Sequence, residues 1–242
     1  MAKTAGILII GNEVLSGKVT DQNSPYLVRE LRALGVGVQR ITTIPDDVGI
    51  IAQEVRAFSD RYDLVFTTGG IGPTHDDVTI TAIAQAFGRI VIRHPLLEEV
   101  LRRHYGGEIT AAHLRMAEVP EGGQLVGEGD LAFPVVALRN VFIFPGIPEV
   151  VRRKFESIRE RFREQPFILR RVFLRCDEGQ ITDDLHAVLG RFPDIQLGSY
   201  PFLNHPDYTL MLTLESKDPE YVAQALRFLL DRSPPQSVVR TE

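Results

Sequence analysis

A single cysteine, Cys176, stands in this 242-residue chain, and that scarcity removes two classes at once. No internal disulfide can form, and no second thiol exists to build a zinc site with it. A reducing compartment suits such a chain. Arg175 and Asp177 flank the thiol, but a strand-end cysteine without a histidine partner pattern is expected to be inert. Lysine is scarce as well, with only Lys3, Lys18, Lys154 and Lys217 among 27 basic residues. The net charge is −5, no long Lys/Arg run occurs, and the Arg-rich stretches near 152–163 and 170–175 fall inside amphipathic patterns. Nucleic acid is therefore not the expected partner. No apolar run reaches membrane-spanning length, and the N-terminus enters Gly6-Ile7-Leu8-Ile9-Ile10 without a leader pattern, so a cytoplasmic protein with no membrane partner is expected. A GxGxxG fingerprint and a Walker A motif are both missing: Gly11 to Gly17 has the wrong spacing, and Lys18 lacks the following Ser or Thr. Rossmann-type NAD binding drops away. His94, His104, His113, His186 and His205 show no metal-ligand spacing, and there is no low-complexity tract or internal repeat.

What is present is an ordinary globular composition, 44% hydrophobic and 24% charged, in which strand-like and helix-like runs alternate. Ile7 to Ile10 reads as a buried strand, and Ser24-Pro25 opens a helix carrying Leu27, Val28, Leu31 and Leu34 before Gly35. Val36 to Ile44, Leu64 to Thr68 and the hairpin Val135–Leu138/Val141–Phe144 read as strands. Helices follow at Ile51 to Phe58, Ile80 to Phe87, Pro95 to Tyr105 and Ala111 to Met116. Such alternation implies a parallel sheet with helices on both faces. From Pro148 the stripe Val151, Phe155, Ile158, Phe162 predicts one long helix whose apolar face is core. The pattern changes at Glu164-Gln165-Pro166. Beyond it, a strand over 168–175, a helix from Ile181 to Leu189 bounded by Gly190, two strands and a last helix make a β-α-β-β-α unit of roughly 75 residues, about the minimum that folds alone. The expected division is 1–164 and 165–242, a larger α/β domain and a small α+β domain. The tail from Ser233-Pro234-Pro235 reads as loose.

In a doubly wound sheet, ligands bind outside the carboxyl ends of the strands, so the loops that follow strands carry the chemistry. The richest is Gly69-Gly70-Ile71-Gly72-Pro73-Thr74-His75-Asp76-Asp77-Val78-Thr79, between Thr68 and a helix. Its glycines let main chain approach a ligand and aim N–H groups at an anion, and its two aspartates offer hard oxygens to a divalent ion. Two plainer readings stand beside this: the Gly-Gly pair as a turn, and Asp77 or Thr79 as a helix cap. Three further loops should face the same cleft. They are Gly11-Asn12-Glu13-Val14-Leu15-Ser16-Gly17 with Asp21 and Asn23, Pro45-Asp46-Asp47, and Pro145-Gly146-Ile147-Pro148. Asp46 or Asp47 is expected to cap a helix, Glu13 can be read as a solvated loop residue, and His75 is expected to be a solvated neighbour of the aspartates.

Together, GNEVLSG (11–17), PDD (45–47), TTGGIGPTHDDVT (67–79) and FPGIP (144–148) resemble the molybdopterin-binding (MoaB/Mog-like) domain family. That family occurs in molybdenum-cofactor biosynthesis proteins and in the N-terminal parts of competence/damage-inducible protein A (CinA) and eukaryotic FAD synthase. GGIGPTHDDVT is especially similar to the last, and the similarity extends to LGSYP (197–201). The resemblance implies a three-layer α/β core, a homo-oligomer (dimer or trimer), and a small-molecule site built by these loops for a nucleotide or pterin. It carries adenylyl chemistry on molybdopterin to Asp46 and Asp77 from the biosynthetic enzymes, and metal-dependent cleavage of nucleotide pyrophosphates such as ADP-ribose or FAD from the other two groups. Ile71 replaces the usual Thr of GGTG, a departure from the molybdopterin enzymes. No deamidase or synthase domain of the longer relatives is present, so neither activity is expected.

The mechanism this predicts places a divalent ion (Mg, Mn or Co) on Asp77, with Asp76, Asp46 or Glu13 contributing. A potassium requirement follows by analogy alone. Backbone N–H groups of Gly69 to Gly72 would steady phosphate oxygens, and Asn12, Ser16, Asp21, Asn23, Thr68, Pro73, Thr74, Pro145, Gly146 and Pro148 complete the expected binding surface. A non-catalytic molybdopterin or nucleotide module and a pterin adenylyltransferase remain the alternatives.

Overall fold

The computed structural model describes residues 3–127, 134–234 and 236–242, which fall into two compact units, one running to Glu164 and the other Gln165–Glu242. In the first unit the order is β1 (Thr4–Ile10), α1 (Asn12–Leu15), α2 (Asn23–Ala33), β2 (Gly37–Ile44), α3 (Val48–Arg61), β3 (Leu64–Thr68), α4 (Thr79–Ala86), β4 (Val91–Arg93), α5 (Pro95–Tyr105), α6 (Ala111–Arg115), β5 (Glu118–Pro120), β6 (Gln124–Val126), β7 (Val135–Leu138), β8 (Val141–Phe144) and α7 (Pro148–Glu156). Six strands form one sheet in the order β2-β1-β3-β8-β7-β6. The first four pair in parallel and the last two add antiparallel through the β7–β8 hairpin. β4 and β5 pair separately, a small ladder that no sequence pattern announces.

Alternation along β1 explains the three layers. Successive side chains of a strand point to opposite faces, so Leu8 and Ile10 join Ile51, Val55, Ala82 and Ile83 of α3 and α4 on one face. Ile7 and Ile9 join Leu27, Leu31, Val151 and Phe155 of α2 and α7 on the other. A strand buried on both faces must be apolar throughout, as 7–10 is.

The stripe from Val151 to Phe162 is core, but it is not one helix. α7 stops at Glu156, and a 3₁₀ turn, Arg159–Phe162, completes the run. The Ser157 hydroxyl donates to the Lys154 carbonyl at 2.7 Å, a competing bond of the kind that ends helices. The turn still delivers Phe162 edge-on to Phe66 and Phe142, at 5.2 and 4.9 Å between ring centres.

The second unit has β9 (Ile168–Leu174), α8 (Glu178–Arg191), β10 (Gln196–Pro201), β11 (Leu210–Ser216), α9 (Pro219–Arg232) and β12 (Val238–Thr241). Its sheet is antiparallel, in the order β10-β11-β9-β12. Two expectations are corrected here. α8 runs through Gly190 to Arg191, the tertiary contact of Phe192 with Phe228 overriding the glycine signal. The tail is not loose, because Val238, Arg240 and Thr241 pair with β9; Pro235 lies outside the described residues. The β-branched pair Val238-Val239 was the available sign, masked by the prolines before it. Cys176 is buried, and burial followed by the Asp177 charge raises its thiol pKa, which fits an inert residue.

Candidate functional site

Register sets the floor. Ile10 pairs with Ile44, Ile9 with Thr68, and Thr68 with Phe144, so the chain leaves β1, β2, β3 and β8 along one edge of the sheet. Gly69 makes the convergence possible: its φ is +105°, and a Cβ there would overlap the Ile10 carbonyl oxygen. Its N–H donates to the Phe144 carbonyl at 3.1 Å, and the Cβ position of Gly146 lies 3.7 Å from the Gly69 Cα. Three backbones thus meet, and at Gly69 a side chain would keep β1 and β3 apart, while one at Gly146 would make only an ordinary contact.

Above this floor the loop turns on Thr79, whose hydroxyl donates to the Gly69 carbonyl at 2.9 Å and whose N–H donates to the Gly70 carbonyl at 3.0 Å. The N-cap of α4 is Val78, with no side-chain cap, so neither Asp77 nor Thr79 caps that helix. Asp77 instead folds back. Its Oδ2 accepts from the Thr74 N–H at 2.8 Å and the Thr74 hydroxyl at 2.6 Å, and Asp76 Oδ1 lies 2.6 Å from the same hydroxyl. The Thr74 bond holds the Asp76 carboxyl below its ordinary pKa. Among the described residues, no acceptor pairs with the N–H groups of Gly70, Ile71 or Gly72. A run of three open main-chain donors therefore lies beside two carboxylates gathered on one hydroxyl. Pro73 closes the run, and Ile71 packs on the core. His75 is 97% exposed and 3.9 Å from Asp76, a solvated neighbour.

The other expected residues divide. Asp47 caps α3 through the Ile50 N–H at 2.9 Å, which leaves Asp46 to accept from the Asn12 N–H at 2.8 Å and tie the first loop to the second. Gly11 donates to the Ile44 carbonyl at 3.1 Å, and the Ser16 hydroxyl donates to the Glu13 carbonyl at 3.3 Å. Asp21 accepts from the N–H groups of Asn23 and Ser24 and from the Ser24 hydroxyl, fixing the start of α2. Asn23 Nδ2 donates to the Gly146 carbonyl at 2.9 Å. Glu13, Asp21, Asn23, Thr68, Gly146 and Pro148 line a cavity of about 250 Å³; Pro145 is not among its lining. Asp46, Asp76 and Asp77 are absent from that wall too, and among the described residues no three His, Cys, Asp or Glu side chains are gathered to hold one metal ion. Asp76 and Asp77 are brought together by Thr74; Asp46 and Glu13 stand apart from them in their contacts.

Two residues were not foreseen. Arg115 of α6 donates to the carbonyls of Thr74 and Asp77 at 3.0 and 3.4 Å, bracing the acid turn from outside; its exposed-looking helix gave no sign of this. Lys154 is 6% exposed, donates to the Pro134 carbonyl at 2.7 Å, and lines a smaller cavity of about 40 Å³ with Gly72, Asp77 and Arg115. Burial lowers its pKa from 10.5 to about 8. Its signal was in plain view, since position 154 falls on the same helical face as Val151, Phe155 and Ile158.

Comparison with known proteins fits this geometry. A family profile described as a probable molybdopterin binding domain matches residues 6–164. The chain belongs to that family. Outside this molybdopterin-binding-type domain, residues 166–242 match a profile described as the FAD synthase middle domain. A protein of Archaeoglobus fulgidus is 38% identical over 91% of this chain and 94% of its own length. A probable FAD synthase of Caenorhabditis elegans is 32% identical over 94% of this chain, and the match spans only 50% of that protein. The crystal structure of the protein CinA, of unknown function, from Thermoplasma acidophilum superposes with a TM-score of 0.61 at 25% identity, covering 67% of this chain and all of that one. No helix among the described residues is long and apolar enough to cross a membrane.

Proposed function

We propose that this chain is a divalent-metal-dependent hydrolase of nucleotide pyrophosphates, cleaving ADP-ribose or FAD with release of AMP. The observation that supports it is the juxtaposition of the open N–H donors of Gly70, Ile71 and Gly72 with the Asp76–Asp77 pair. Consecutive main-chain donors suit phosphate oxygens, and paired carboxylates beside them suit a cation that phosphates also ligate. Two carboxylates are enough for Mg²⁺, which is commonly held by one or two together with substrate phosphates and water. Asp76 and Asp77 would hold the ion, which when bound supplies Lewis-acid polarisation of the phosphoryl group and an activated water. Water adds across one P–O bond of the bridge, giving AMP and a second monophosphate. The N–H groups of residues 70–72 steady the nonbridging oxygens where charge accumulates, while Thr74 and Arg115 hold the acid turn. Potassium as a second cation, a cytoplasmic setting and a homo-oligomer belong to the same reading.

A second reading has its own support. Asp77 Oδ2 already accepts two hydrogen bonds from Thr74, as in a loop whose acids only shape it; the chain would then hold a nucleotide or molybdopterin without cleaving it. A screen of ADP-ribose, FAD, NAD and ATP against Mg²⁺, Mn²⁺ and Co²⁺, with and without K⁺ and resolved by chromatography, separates the two. The hydrolase reading expects AMP that disappears with EDTA, and AMP itself untouched. Tight binding with no cleavage under any condition supports the module, and AMP attached to a pterin would indicate adenylyl transfer.

A further inference from the structure

The acid turn is held by a cation that no carboxylate neutralises. Arg115 is half-buried, and its guanidinium donates to the carbonyl oxygens of Thr74 and Asp77; among the described residues it has no ion pair. Bracing a loop accounts for those two bonds but not for the charge or for the rest of the planar donor fork, which carries more N–H groups than two carbonyls consume. Arg115 also borders the smaller cavity, together with Gly72, Asp77, Glu118 and Lys154. Gly72 belongs to the run whose N–H groups have no acceptor among the described residues, and a Cβ on it would lie 2.7 Å from Asp77 Oδ2. An open main-chain donor, a candidate ion ligand and an unneutralised guanidinium therefore share one space. Its volume is about 40 Å³. One water needs about 10–15 Å³ on this measure, so about three oxygen-sized groups fit, enough for the nonbridging oxygens of one phosphoryl group and too few for a nucleoside. The acids on the wall, Asp77 and Glu118, are matched by the cations Arg115 and Lys154. The larger cavity differs, since its charged residues are Glu13, Asp21 and Glu149, with no Lys or Arg. Of these two spaces, the smaller one suits an anion.

We infer that Arg115 binds the substrate directly, its guanidinium taking nonbridging oxygens of the second phosphoryl group in this cavity, and that it is the residue that selects a pyrophosphate over a monophosphate. The inference rests on the reading of the acid turn as a metal-and-phosphate site, and it divides the labour there. The N–H groups of residues 70–72 serve the phosphoryl group under attack, and Arg115 serves the one that leaves. Bonded on one side to the carbonyls of the acid turn and on the other to the substrate, the guanidinium also ties the arrival of a pyrophosphate to the placement of Asp76 and Asp77. A monophosphate fills the first position alone and leaves the fork unused.

The test is titration calorimetry of the full-length protein in Mg²⁺ with two probes, methylenebisphosphonate, whose bridge cannot be hydrolysed, and methylphosphonate, its monophosphoryl counterpart. The parent chain should bind the bisphosphonate more tightly. Arg115→Gln, which can still donate to a loop carbonyl, should cut that preference about ten-fold by weakening the bisphosphonate alone, as expected for the loss of charge-assisted hydrogen bonds. Arg115→Lys keeps the charge without the fork and should lower the preference several-fold; it carries the test if the glutamine variant does not fold. A residue that only braced the loop would weaken both probes together. Such a shared loss, a preference unchanged in either folded variant, or a parent chain that binds both probes equally would overturn the assignment of Arg115 while leaving the metal-and-phosphate reading intact. Failure of the parent chain to bind either probe would overturn both.

Discussion

Gly69 offers the sharpest test of how the site is built, with Gly17 as its control. Both have positive φ, +105° and +72°, but a Cβ at Gly17 meets nothing within 4 Å, whereas one at Gly69 overlaps the Ile10 carbonyl. Gly17→Ala therefore adds only the left-handed backbone term, about 1 kcal/mol. Gly69→Ala adds about 1–3 kcal/mol of strain at a φ that residues with a Cβ avoid, and about 1–3 kcal/mol for displacing packed main chain. Taking about 4 kcal/mol for the sum, and about 3 °C per kcal/mol for a unit of this size, the melting temperature should fall by about 12 °C at Gly69 and about 3 °C at Gly17. Differential scanning calorimetry of the whole chain measures this. Gly17→Ala, scanned under the same conditions, is the reference for the shift at Gly69. Equal shifts for the two variants would refute the claim that main-chain contact between β1 and β3 forms the floor.

Asp77→Asn keeps an acceptor for Thr74 while removing charge, so pyrophosphate turnover should fall at least about 100-fold with little change in melting temperature; unchanged turnover would remove Asp77 from the ion's ligands. His75→Ala, at an almost fully exposed position, should alter neither quantity in the same assays. Lys154 has a folded pKa of about 8 against the usual 10.5, so the unfolded chain binds more protons between those values and stability should rise with pH across that window. Lys154→Met removes the effect, and its advantage over the parent, at most about 3 kcal/mol below pH 8, should shrink toward pH 10.5 in denaturant titrations; a pH-independent difference would contradict the burial. Cys176 should react with a thiol reagent at a small fraction of the rate seen after denaturation, and rapid labelling of the native protein would contradict its burial and raised pKa.

Much of the first unit was legible because its strands announce themselves. Ile7 to Ile10 and Leu64 to Thr68 are short near-continuous apolar runs, the pattern that burial on both faces of a parallel sheet requires. Boundaries set by a single hydroxyl were not legible: nothing before Ser157 says that the apolar stripe will change from α-helix to 3₁₀ turn. The candidate site was half readable. Glycine density and paired acids locate the loop, yet periodicity and motif cannot say whether an aspartate reaches a ligand, a helix end or a neighbouring loop. Asp47, Asp46 and Asp77 turned out to differ in this respect, bonding Ile50, Asn12 and Thr74 respectively. Arg115 lies outside any pattern, because its role depends on two carbonyls 38 to 41 residues away.

The meeting of Ile10, Gly69 and Gly146 has a consequence for redesign. At Gly69, substitution can only disturb the shape and cannot retune its chemistry, since every residue with a Cβ presents the same obstruction to the Ile10 carbonyl. What this protein accepts must then be set by the side chains standing around the floor. Positions 13, 19 and 149, at the cavity wall and free of the strand contacts, are where a library aimed at a new ligand should vary, with Gly69 held constant as the foundation.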